Sequence, residues 1–263
     1  MIAKIKKLLP IKLKDMLKGV YLKRIIKKLR ISDKDLCIIE NATFKDDGLI
    51  TAHNSDFLND PLFLEAYKLG RLTTNLNYDL HWRIYIACWA AQWGKSLEGD
   101  FVECGVNKGL ISRAVMCYID FKSMPSYRKF YLMDTFCGIP QEFRHLAARS
   151  HLNDYAECYE DAKRTFKDFE NAILIKGTIP DTLAQVKSNK ICYLSIDMNC
   201  AEPEIAAVEY FWDRLVKGAA VVLDDYAYSK SYERQTKAMV KFTESKGTRV
   251  LALPTGQGLI FKP

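Results

Sequence analysis

Ile191-Cys192-Tyr193-Leu194-Ser195-Ile196-Asp197 is the stretch that decides the fold of this 263-residue chain. A strand with one wet face alternates polar and apolar residues, whereas this run is apolar almost throughout and ends on a carboxylate, as a strand covered on both faces does. Comparable runs lie on either side: Phe101-Val102-Glu103-Cys104, Phe130-Tyr131-Leu132-Met133-Asp134, Ala172-Ile173-Leu174-Ile175 and Ala220-Val221-Val222-Leu223-Asp224. Stretches of helical period separate them, at 109–120, 155–169, 180–188 and 203–216. Buried strands alternating with amphipathic helices predict a doubly wound α/β fold, a mostly parallel seven-stranded sheet with helices on both faces. After a further helix at 232–245, strands at 249–253 and 258–262 flank Thr255-Gly256-Gln257-Gly258, a link too short for a parallel crossover. The last strand is therefore antiparallel.

Upstream, residues 78–97 place Leu80, Ile84, Ala87, Cys88 and Ala91 at helical spacing among Trp82, Trp89 and Trp93 and predict a buried helix. Residues 31–72 read as irregular connection and cover, with turn signals at Asp46-Asp47-Gly48 and Asn59-Asp60-Pro61. Residues 2–30 interleave lysines with Ile2, Ile5, Leu9, Leu13, Leu17, Val20 and Tyr21, the pattern of a basic amphipathic helix. The expected division is a leader at 1–30, a helical cap or lid region at 31–98 and a ligand-binding domain at 99–263.

The net charge of +7 is unevenly distributed. Residues 1–30 hold nine Lys and two Arg against Asp15, so the rest of the chain is slightly acidic. A folded nucleic-acid-binding domain has no support from charge, and the leader fits either an anionic membrane surface or a lid or dimer arm. Eight cysteines without C-x-x-C spacing argue against zinc and for a reduced, cytoplasmic setting, with peripheral contact at the inner membrane face as the leader's alternative use. No apolar run is long enough to cross a bilayer.

Open parallel sheets bind ligands at the carboxyl ends of their strands, and here those ends are acidic. Glu103-Cys104-Gly105-Val106-Asn107-Lys108-Gly109 forms an E-x-G-x-x-x-G turn into a helix, where glycine lets the chain turn sharply and free N–H groups favour an anion. The same glycine would also serve a plain strand-to-helix turn. A nicotinamide site is disfavoured, since G-x-G-x-x-G is absent. Asp134, followed by Thr135, sits one βα unit later, where two carboxylate oxygens suit a ribose diol; capping the next turn is the alternative. Asp197, Asp224 and Asp225 converge at adjacent strand ends and would repel one another without a cation, which makes them candidate Mg²⁺ ligands; the alternative is a loop start and a helix cap.

Taken in order, Glu103-Cys104-Gly105-Val106, Asp134-Thr135-Phe136 with Gly138-Ile139-Pro140, Lys176-Gly177 with Pro180-Asp181-Thr182-Leu183, Ile196-Asp197 and Leu223-Asp224-Asp225-Tyr226 resemble the macrocin O-methyltransferase family (TylF/MycF-type) over about residues 75–263. The resemblance implies a class I methyltransferase that uses S-adenosylmethionine (SAM) and Mg²⁺, methylates sugar hydroxyls, often on natural products, and forms homo-oligomers. It implies a SAM site at Glu103, Gly105, Val106, Asn107, Gly109, Asp134 and Thr135, with Gly177 and Thr178 near the adenine, and a metal held by Asp197, Asp224 and Asp225. One departure stands out. The family follows its metal aspartate with x-Asp-Leu-Tyr, its second Asp a proposed base, whereas this chain has Asn199, which accepts no proton near neutral pH. The metal would then lower the acceptor hydroxyl's pKa and leave the proton to water or to Asp197, the candidate catalytic residue, with Glu202, His53 and His145 as alternatives. A catechol-type methyltransferase and a non-catalytic SAM-binding partner protein are the competing readings.

Overall fold

The computed structural model describes residues 41–144 and 155–263. The leader 1–30, residues 31–40 of the cap region, and His145 lie outside the described residues. The chain divides into two units, Met1–Thr43 with Ile50–His53 and Phe44–Leu49 with Asn54–Pro263. The second unit carries the main sheet and the helices packed on it.

Two helices precede the sheet, α1 (Pro61–Arg71) and α2 (His81–Lys95). The sheet and its crossovers are β1 (Asp100–Cys104), α3 (Leu110–Tyr118), β2 (Phe130–Asp134), α4 (Tyr159–Phe166), β3 (Ala172–Lys176), β4 (Ile191–Ile196), α5 (Ala201–Trp212), β5 (Leu215–Leu223), α6 (Glu233–Ser245), β6 (Leu251–Ala252) and β7 (Gly258–Phe261). The seven strands lie in the order β3-β2-β1-β4-β5-β7-β6. β1 to β5 pair in parallel, and β7 runs antiparallel to both β5 and β6. The doubly wound sheet with its antiparallel last strand is as expected.

Strand periodicity divides the core in two. Phe101, Phe130, Tyr193, Ala220 and Val222 face α1, α2 and α3, while Val102, Tyr131, Leu194, Val221 and Ile260 face α5 and α6. On the first face the rings of Phe101, Phe121 and Phe130 meet at centroid distances of 5.5–5.6 Å, and Tyr193 lies 6.2 Å from Phe130. Each buried ring stabilises by about 1.5–3 kcal/mol, which makes this the rigid floor below the strand ends.

Three assignments differ from the sequence reading in more than the trimming of element ends. Within 31–72, Pro61–Arg71 is helical: Asp60 caps it by accepting from the Leu62 N–H at 2.9 Å, Pro61 occupies the first turn, and Phe63, Ala66, Tyr67 and Gly70 form its buried stripe. Residues 180–188 hold only a single 3₁₀ turn, Leu183–Gln185, because two buried apolar residues, Leu183 and Val186, are too few for a helical face. β5 begins at Leu215, where its first residue pairs with Ile191 before a register shift. Among the described residues no helix is long and apolar enough to cross a membrane.

Candidate active site

The strand order reverses between β1 and β4, and there a cavity of about 280 Å³ opens at the carboxyl ends of the strands. Of the residues singled out from sequence, Glu103, Gly105, Val106, Asn107, Asp134, Thr135, Gly177, Asp197, Asp224 and Asp225 line it. Gly109 and Thr178 do not. Gly109 precedes α3 with φ +96°, where a Cβ would come within 2.5 Å of the Phe166 ring; the Thr178 hydroxyl donates to Asp181 Oδ2 at 2.7 Å and holds its own turn.

The β1 turn is set by contacts within the protein as much as by room for a ligand. Gly105 has φ +95°, and a Cβ there would lie 1.8 Å from the Asp197 carbonyl oxygen, so only glycine lets β1 close against the end of β4. Asp134 then fastens the turn: Oδ2 accepts from the Val106 and Asn107 N–H groups at 2.6 and 2.7 Å, and Oδ1 from the Phe136 N–H at 2.6 Å. With the Thr135 hydroxyl 3.3 Å from Oδ1, these contacts occupy most of the acceptor positions of this carboxylate. Glu103 differs. It is 1% exposed, its Oε1 accepts from the Ser112 hydroxyl at 2.8 Å, and its Oε2 is buried without a partner. Burial pushes its carboxyl up to about 8, with Asp224 and Asp134 adding in the same direction. An unpartnered polar atom on a residue that lines the cavity leaves a position open to a polar ligand, and the residues present fit SAM.

Asp197, Asp224 and Asp225 do come together, but around a side chain that the sequence reading did not single out. Arg83 projects from α2; its Nη1 donates to Asp224 Oδ2 and, at 3.1 Å, to Asp225 Oδ1, and its Nε donates to Asp47 Oδ2 at 3.1 Å. The guanidinium lies 4.5 Å from the Tyr228 ring centroid, and the Tyr228 hydroxyl anchors the other Asp47 oxygen at 2.9 Å. Gln257, fully buried in the link before β7, donates through Nε2 to Asp224 Oδ1 at 2.9 Å and to the Arg83 carbonyl at 3.1 Å. Burial opposes the charge on Arg83, yet Asp224, Asp225, Asp47 and Asp197 outweigh it and hold its pKa well above the ordinary value. Burial and the charges of Asp224 and Asp225 push Asp197 well above the usual carboxylate range.

A divalent ion does not fit this donor set. Both Asp224 oxygens and one Asp225 oxygen already accept from N–H donors, whereas Mg²⁺ needs near-octahedral oxygen ligands at about 2.0–2.1 Å. Among the described residues no group of three or more His, Cys, Asp or Glu is set to hold a metal. The cation expected among these carboxylates is a guanidinium.

Asn199 sits beside Asp197 with φ +56°, a left-handed position that asparagine tolerates. Its Nδ2 donates to Asp197 Oδ1 and to the Tyr155 hydroxyl, both at 3.4 Å, and its Oδ1 accepts from the Tyr232 hydroxyl at 3.1 Å. Of the alternative bases, Glu202 pairs with Arg234 and does not line the cavity, and His53 belongs to the other unit. Sequence reasoning missed Arg83, Asp47, Gln257, Tyr155, Tyr228 and Tyr232. Arg83 alone carried a signal, a cation adjoining the apolar stripe of α2.

The solved structure of the O-methyltransferase NovP superposes with a TM-score of 0.57 at 18% identity, covering 68% of this chain and 79% of that one. CalS11, a calicheamicin methyltransferase, gives 0.55 at 18% identity over 80% and 94%, and SAH-bound PaMTH1 of Podospora anserina gives 0.54 at 12% identity over 82% and 99%. These likenesses show a shared fold. No curated protein matches the chain. The model of the macrocin O-methyltransferases (TylF) matches residues 86–249, which contain β1 to β5, the glycine turn and the carboxylate cluster, so this chain is an O-methyltransferase that belongs to the TylF family.

Proposed function

We propose that the enzyme transfers the methyl group of SAM to a hydroxyl oxygen of a sugar or a glycosylated small molecule. The observation that carries this reading is the cavity itself, which joins a donor side and an acceptor side at one set of strand ends. On the donor side are the β1 turn, the orphaned Glu103 Oε2 and Gly177, whose φ of +147° puts a backbone without a side chain on the wall. On the acceptor side are Thr73, Thr74, Tyr78, Tyr155, Asn199 and Tyr232, hydroxyl and amide groups suited to a polyol rather than a planar ring. NovP and CalS11, with the same fold, are an O-methyltransferase and a calicheamicin methyltransferase.

The acceptor oxygen attacks the methyl carbon as the carbon–sulfur bond breaks, S-adenosylhomocysteine leaves, and the hydroxyl proton passes to a base. Asp197 is the proposed base: it lines the cavity, and its Oδ1 lies beside the Asn199 amide at the acceptor side. Asn199, held between Tyr155 and Tyr232, keeps a donor on Asp197 and orients it. Alignment of oxygen, methyl and sulfur supplies up to about 7–11 kcal/mol in favourable cases. The Mg²⁺ that the family resemblance implies has no step here, since its donor set is engaged by Arg83 and Gln257.

Transfer of labelled methyl from SAM to a panel of nucleotide sugars and glycosides tests this reading. Label in a sugar product, lost in Asp197→Asn while SAH binding persists, is expected; preferential transfer to catechols would replace the acceptor class. The basic leader would bring the enzyme to an acceptor at an anionic membrane, and equal liposome flotation with and without residues 1–30 would contradict that.

A further inference from the structure

We propose that Arg83 is the resident cation of this active site: its guanidinium takes the place of a divalent ion among Asp197, Asp224 and Asp225, so methyl transfer by this enzyme needs no added metal. The part given to Arg83 in methyl transfer rests on the proposed function, whereas its geometry stands independently.

Arg83 is held from every side. Its side chain is 8% exposed and bonded to Asp47, Asp224 and Asp225, the Tyr228 ring covers the guanidinium, and Gln257 ties the Arg83 backbone to Asp224. A planar guanidinium matches two carboxylates at once and keeps its charge at any pH the protein survives. A divalent ion could bind only by displacing Arg83, and that would leave Asp47 and the guanidinium buried without each other. The two cations therefore compete for one position, and Arg83 is covalently present.

The assignment gives the carboxylates different tasks. Asp224 and Asp225 are bonded to the fixed cation and hold it at the cavity wall, whereas Asp197, with no bond to Arg83 among these contacts, faces the acceptor side. Arg83 is thus a positioning residue that also offsets the charge around the reacting oxygen.

The test uses Mn²⁺ as a probe, followed by electron paramagnetic resonance on the full chain, with and without SAH. The wild type is expected to leave the free-ion spectrum unchanged, and so is Arg83→Lys, which keeps a cation. Arg83→Met keeps bulk but removes the charge, and should bind Mn²⁺ at least about tenfold more tightly than the wild type. Stoichiometric Mn²⁺ binding by the wild type overturns the proposal, as does failure of a folded Arg83→Met to gain it. If Arg83→Met does not fold, the wild type decides. Thermal stability and SAH affinity unchanged by EDTA, with turnover kept, support the proposal; loss of either, restored by Mg²⁺, overturns it. Absence of SAH binding under all conditions would instead refute the methyltransferase reading and leave the Mn²⁺ result standing.

Discussion

Replacing Glu103 by Gln should weaken the loss of stability that rising pH imposes on this enzyme. Glu103 is buried at the end of β1, accepts one bond from Ser112, and leaves Oε2 without a partner. Its carboxyl lies at about 8, against an ordinary value of 4.5. Between those values the folded protein keeps a proton that the unfolded chain has released, so stability falls as pH rises, by about 1.4 kcal/mol per pH unit. The stabilisation is fully present below 4.5 and lost by 8, about 5 kcal/mol across the window. Asp197 and Glu204, both held well above the carboxylate range chiefly by burial, act in the same direction, so the wild-type slope alone does not isolate Glu103. Gln keeps the shape and the bond from Ser112 but cannot ionise. Urea unfolding of both proteins in the absence of SAM, at intervals from pH 5 to pH 8, should show the variant gaining on the wild type by about 1.4 kcal/mol per unit. Parallel curves would refute the reasoning, because they would mean that Glu103 titrates alike in both states.

Gly105→Ala should fail to form a stable enzyme or lose SAH binding, since its Cβ would overlap the Asp197 carbonyl and the left-handed backbone adds about 1–2 kcal/mol; a melting temperature and SAH titration matching the wild type would contradict this. Arg83→Met should lower stability by about 3–5 kcal/mol at neutral pH by leaving buried carboxylates uncompensated, as read by denaturant titration, with part regained on adding Mn²⁺. Asn199→Ala loses the bond from Tyr232 and the tolerance for a positive φ, together about 1–3 kcal/mol, and should lower turnover more than SAH affinity. Asp60→Ala should cost about 1 kcal/mol through the lost cap on α1 and leave turnover unchanged.

Local pattern revealed the sheet because β1 to β5 are covered on both faces, so their apolar runs survive without any partner's help. The helix α1 was legible in principle: Asp60-Pro61 is both a turn signal and a cap with proline in the first turn, and only the buried stripe of Phe63, Ala66, Tyr67 and Gly70 separates the two readings. The carboxylate ends were legible because a strand that closes on aspartate places it at the ligand edge. Arg83 was not, since its meaning depends on partners from Asp47 to Asp225 that only the assembled sheet brings within reach. Gln257 was hidden in the same way, as a residue of a short link whose side chain turns inward to Asp224. Asp134 shows the opposite case: its position at the strand end was legible, but its three bonds to backbone N–H groups arise from the folded turn and use most of its acceptor capacity.

Isothermal titration of SAH into the full-length protein, in EDTA at neutral pH, tests the central claim most directly. A donor site built from the β1 turn, Glu103 and Gly177 predicts saturable one-to-one binding that needs no metal. Absence of any heat of binding, under conditions where the protein is folded, would contradict the account.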